Sequence, residues 1–204
     1  METTRKRKGY SLQQLILLAL LMAVVAVLQL FLSGIQFGPV ALNFVLVPIV
    51  IGGLLLGPTA GGVLGLTFAS IVLYRGILNP ASITGFLFYF HWGTAVFIVV
   101  AWLIRGLAAG VVPALIYKAM QKKESLGVTL ASAAAPVVNT GLFALAIFMV
   151  SGIITQQFVP EGASLFNHVF TVFIGVNFVI EFLISLSLAP AIYHIVKVFR
   201  GKKF

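Results

Sequence analysis

The chain contains no cysteine and no aspartate, and charged residues of either sign make up only 8% of it. Without cysteine there is no disulfide framework, no thiolate chemistry and no Cys-based metal site. With four acids in total and three histidines, His91, His168 and His194, there is no Ser-His-acid set. The histidines also lack the HxxH-type spacing of a metal site. A soluble domain carries about 25% charge, so the scarcity of charge also excludes an ordinary water-soluble globule. What the chain has instead is 61% hydrophobic residues over a length of 204 and a mean hydropathy of +1.15. Long apolar stretches nearly free of charge are the mark of membrane-spanning helices. At about 20 residues per span, roughly six helices account for most of the length. A transmembrane β-barrel would need alternation of apolar and polar residues, and Leu15 to Val27 does not alternate.

The expected architecture is therefore an all-α membrane protein, a single domain over 1–204. Its six transmembrane helices are expected at about 11–32, 40–56, 59–74, 102–120, 126–153 and 169–198. Ser33-Gly34 and Gly38-Pro39 break the first from the second, and Gly57-Pro58 turns the second into the third. Residues 81–101, interrupted by Gly85, His91 and Gly93, read as a long, partly helical connection. Residues 155–167 read as a polar loop. The first apolar run is basic at its start, like a signal peptide, but is too long for one and lacks a cleavage site, so it reads as a retained helix.

The net charge of +9 falls in three clusters: Arg5 to Lys8; Lys118, Lys122 and Lys123; and Lys197, Arg200, Lys202 and Lys203. Each abuts an apolar segment, the pattern of cytoplasmic anchors rather than of a nucleic-acid surface. Six helices bring all three clusters to one side, with the N- and C-termini cytoplasmic. Arg75 and Arg105 are then the exceptions, at or near the outer side. Arg75, at a helix end, suits a snorkelling side chain. Arg105, inside an apolar segment, is better placed facing the protein interior with an anionic partner or ligand. Glu181 is the one carboxylate well inside a helix, and both an internal pair with Arg105 and a hydrogen-bond anchor are open to it.

Gly57 to Gly62 superficially suggests a phosphate loop, but the Lys-Ser/Thr pair is missing, so a turn with small-residue helix packing is expected and no ATP site. No cofactor or metal is expected, and no enzyme activity. The candidate substrate-binding residues are Arg75, Asn79, Tyr89, His91, Trp92, Arg105, Asn139 and Asn177. They comprise the two unplaced cations, amides that need partners inside apolar helices, and the polar tips of the aromatic run Phe86 to Trp92. That run reads either as an interfacial aromatic belt or as a lid over an aromatic-walled pocket. Asn43 and Thr140 are further polar residues inside the spans. Ala19 and Ala23 form a small-xxx-small pair, suited either to internal packing or to close approach of a partner helix.

Four features carry a family resemblance: Ala19-Leu20-Leu21-Met22-Ala23; the stretch from Val47 to Gly61; Leu103-Ile104-Arg105-Gly106-Leu107-Ala108-Ala109-Gly110; and Asn177-Phe178-Val179-Ile180-Glu181 with Ala189-Pro190. Together they resemble the substrate-binding (S) component of an energy-coupling factor (ECF) vitamin transporter. The resemblance implies a multi-pass protein of a prokaryotic plasma membrane that binds a small water-soluble vitamin. It further implies docking, through the alanine face, onto a membrane scaffold subunit that carries two cytoplasmic ATPases. Two arginines on the outer side with almost no acid there favour an anionic vitamin over thiamine. The scatter of Asn, Thr and Tyr suits pantothenate, with folate the alternative. A lipid-acting membrane enzyme and a ligand-free structural or sensor protein are the competing classes, and the first lacks a convergent acid–base or metal site.

Overall fold

The computed structural model describes residues 10–31, 36–37, 40–41, 44–159, 161–162, 164–168 and 175–201. They form an all-α bundle: α1 (Leu12–Phe31), α2 (Leu46–Leu56), α3 (Pro58–Ile77), α4 (Ile83–Phe90), α5 (Trp92–Ala119), α6 (Glu124–Met149), α7 (Ser151–Phe158), α8 (Leu165–His168) and α9 (Val176–Gly201). Two short strands interrupt it, β1 (Gln36–Phe37) antiparallel to β2 (Val40–Ala41). Among the described residues five helices are long and apolar enough to cross a bilayer, and α2 is a shorter apolar sixth. The chain is a multi-pass membrane protein.

Local chemistry explains the boundaries that differ from expectation. The second helix begins at Leu46 rather than near residue 40, because Val40–Ala41 pairs with Gln36–Phe37. Pro48 then falls in the first helical turn, where its missing N–H breaks no hydrogen bond; a helix begun at 40 would hold that proline in its interior. The third helix runs three residues further than expected, to Ile77, once Gly57, at φ 96°, has reversed the chain and Pro58 has opened the new helix. The expected connection over 81–101 is instead α4 and the first ten residues of α5. Isolated glycines cost an apolar helix only about 1 kcal/mol each. Gly85 is needed besides, since a side chain there would strike the carbonyls of Asn79 and Gly76. The fifth span ends at Met149, and α7 takes residues expected to be loop, Thr155, Gln156 and Gln157 among them. For the last span the described helix starts at Val176, and 169–174 lie outside the described residues.

The backbone of the fold is the seam between α3 and α5, the most extensive helix pairing in the molecule. Gly61 and Gly65 on one helix face Gly110 and Gly106 on the other, and a Cβ on any of the four would collide with a backbone carbonyl opposite. Such contact lets two backbones meet by dispersion and weak Cα–H···O bonds without a hydrophobic driving force, as membrane helices require.

The helices enclose two cores. One, near the α2–α3 turn and Lys118, is mostly aliphatic: Leu21, Val25, Ile49, Val50, Ala60, Leu64, Ala109, Val128 and Ala131, with Phe68 and Tyr117 as its buried aromatic members. We call this the basic end. The other, where α4 and α7 sit, gathers Leu73, Leu87, Ile98, Trp102, Ile147 and Ile154, flanked by Phe86, Phe97, Phe143, Phe148, Phe158 and Phe178. This is the aromatic end.

Candidate functional site

Helix α5 has 28 residues and rises about 42 Å. Arg105 is its fourteenth residue, about 20 Å from either end. This corrects the expectation that Arg105 lies near the start of its helix: because α5 begins at Trp92, the cation sits halfway along it. A guanidinium there needs specific company. Its Nε donates to Asn139 Oδ1 on α6 at 2.9 Å. Its central carbon lies 5.3 Å from the Trp102 ring, 5.3 Å from Phe143 and 5.7 Å from Phe68, within cation–π range. Buried Glu181 of α9 interacts with it electrostatically. The cluster thus draws on α3, α5, α6 and α9 between the two cores, and it unites Arg105 and Asn139 of the eight expected residues. Phe68, Trp102 and Phe143 were not among those eight. The signal for two of them was spacing: Trp102 precedes Arg105 by three residues and Phe143 follows Asn139 by four, each pair sharing a helix face.

The remaining candidates lie at the aromatic end. His91 separates α4 from α5. Its Nδ1 accepts from Gly93 N at 3.1 Å, while its own N–H donates to Thr94 Oγ1 at 3.2 Å. It is thus the N-cap of the long helix. Asn79 shapes the turn before α4: its Oδ1 accepts from Ala81 N and its carbonyl from Ser82 N. Ser82 Oγ accepts in turn from Gly85 N to cap α4. Tyr89 and Trp92 are 60% and 76% exposed. Arg75 reaches from α3 to α1, where Nη1 donates to the Gln29 carbonyl at 2.8 Å. That carbonyl belongs to the last turn of α1, so the cation meets the negative end of the helix. The side chain of Asn177 and all of Asn43 lie outside the described residues. Ala19 and Ala23 are both exposed, on a helix that turns Leu18, Leu21, Val25 and Gln29 inward.

At the opposite end Tyr10 bonds Thr59 and the Leu56 carbonyl, placing the start of α1 beside the α2–α3 turn. Lys118 and Gln121 border the same turn across a cavity of about 290 Å³. Among the described residues no three His, Cys, Asp or Glu side chains are grouped to hold a metal.

The family model for the ECF transporter, substrate-specific component, matches residues 13–193. The chain belongs to that family. No curated protein matches the chain individually. The S component is therefore a membrane-embedded binding subunit of a vitamin-uptake system, in a family of transport-binding proteins rather than enzymes. Family membership further implies a complex with scaffold and ATPase subunits.

Proposed function

We propose that this S component binds an anionic, water-soluble vitamin, with pantothenate favoured, and delivers it across a prokaryotic plasma membrane using ATP hydrolysed by partner subunits. Arg105 carries the charge assignment. It is a cation at mid-depth of the bundle, positioned by Asn139 and by three aromatic faces. Arg offers five donors in a planar fork that matches a carboxylate, and Asn139 takes one of them. Amide groups and hydroxyls such as Asn139 and Thr140 complement the amide and hydroxyls of pantothenate. Orientation follows from charge: Lys118, Lys122, Lys123 and Lys197 share an end with the start of α1, which the positive-inside rule assigns to the cytoplasm together with both termini. The aromatic end then faces outward. The exposed Ala19 and Ala23 present a smooth strip for the scaffold helix.

The test is a thermal-shift and equilibrium-binding panel on the purified subunit with pantothenate, folate, biotin and thiamine. Stabilisation by pantothenate and none by thiamine supports the reading; preference for thiamine overturns the anion assignment. The subunit alone should not hydrolyse ATP, and hydrolysis free of copurifying partners would end the proposed division of labour.

A further inference from the structure

We infer that the indole N–H of Trp102 donates a hydrogen bond to an oxygen of the transported substrate, beside the charge met by Arg105. This deepens the functional reading above and rests on it. Trp102 is 2% exposed, and its Nε1 is fully buried with no hydrogen-bond partner among the described residues. Its described neighbours in that core are apolar: Leu73, Ile98, Ala146 and Ile147 share it, and Phe143 meets its ring edge-on at 5.5 Å. A buried donor left unmade is costly in any protein, and more so where lipid surrounds the bundle and water is scarce.

Bulk alone does not explain the residue. The chain has 18 phenylalanines and two tryptophans, and every other aromatic residue in the core around Trp102 is Phe. Phenylalanine would fill such a place without a stranded donor. The other tryptophan, Trp92, is mostly exposed at a helix end, where an indole N–H finds water or headgroups. Trp102 has its ring 5.3 Å from the guanidinium carbon of Arg105, so a ligand oxygen there meets a neutral donor next to a cation. That pairing suits a molecule bearing a carboxylate together with a hydroxyl or amide oxygen. Asn139, already bonded to Arg105 Nε, fixes the cation so that the two donors keep their spacing.

The experiment uses the full-length purified subunit and its Trp102→Phe variant, which keeps the ring and deletes the N–H. Affinity for pantothenate and for folate is measured beside the melting temperature without vitamin. The expected result is about 10-fold weaker binding of the vitamin that the wild type prefers, with an unchanged or raised melting temperature. A second measurement needs no stable variant. In ¹⁵N-labelled wild type the two indole N–H signals are followed, the one missing from the variant being that of Trp102. Saturation with vitamin should move that signal downfield as the hydrogen bond forms. Wild-type affinity in the variant, or an unmoved Trp102 signal at saturation, overturns the inference and leaves the transport reading standing. A wild type that binds neither vitamin overturns the substrate reading, and this inference with it.

Discussion

The two ends of the bundle solve different problems with different residues. Toward the basic end α3 and α5 touch backbone to backbone through Gly61, Gly65, Gly106 and Gly110, over a mostly aliphatic core of Leu, Ile, Val and Ala. At the aromatic end the same two helices are filled out by Trp102 and a set of phenylalanines. Polar groups appear where that filling meets the glycine seam, namely Arg105, Asn139 and Glu181. Small residues give a rigid seal; large aromatic ones leave surfaces with faces and edges that a ligand can use. In this protein the close-packed seam and the proposed recognition surface are separated along the bundle.

Substitutions that thicken the seal should have the largest effect. Gly65→Leu or Gly110→Leu forces a side chain into a facing carbonyl, and no rotamer change relieves a backbone clash. Both should abolish folded protein in the membrane, while Gly65→Ala should cost about 1–3 kcal/mol, the scale of core overpacking, read as a lowered melting temperature. If Gly65→Leu melts like wild type, the seam is not the rigid element.

Next comes the outer surface of α1. Ala23→Trp, alone or with Ala19→Leu, should abolish vitamin uptake by the assembled transporter while the isolated subunit binds as before. Loss of binding together with uptake would make the alanines internal packing instead. Smaller in scale is Arg105→Gln, expected to weaken vitamin affinity by about 1.5–3 kcal/mol, the range for hydrogen bonds to a charged group. Arg105→Lys should recover only part, because the planar fork is gone. A variant with full affinity and a much lower melting temperature would assign Arg105 to Glu181 and remove the polar site from the comparison. The smallest effect belongs to His91→Ala. Losing the cap of α5 should lower stability by about 1 kcal/mol with vitamin affinity intact, as calorimetry and binding on the same preparation would show.

The six apolar segments were legible in the sequence because transfer free energy is written residue by residue, and α1, α3 and α6 lie close to where hydropathy puts them. The stretch 81–101 was misjudged for a local reason. Gly85, His91 and Gly93 look like helix breakers, yet one glycine permits a close turn and the histidine caps the helix that follows. That error displaced Arg105 from the middle of its helix to one end. Asn139 and Arg105 stood out as polar residues in apolar helices, but their rings of contact did not. Which helix faces which is a property of interhelical register, so Phe68 on α3 gave no hint of meeting a cation on α5. The glycine spacing was equally visible on both helices and equally silent about its partner.

One dimension of the fold ties the protein to the lipid around it. Helix α2, with 11 residues, rises about 16 Å, roughly half of a hydrocarbon layer about 30 Å thick. Ahead of it in the chain the described residues form β1 and β2, the latter in contact with α9. Non-helical backbone is tolerated at such depth only against protein or water. Hydrophobic thickness thereby becomes a control variable for this molecule. A thicker bilayer widens the gap between the length of α2 and the hydrocarbon layer, and a thinner one narrows it. At fractions of a kcal/mol per ångström of mismatch, acyl-chain length alone should shift the melting temperature of this subunit.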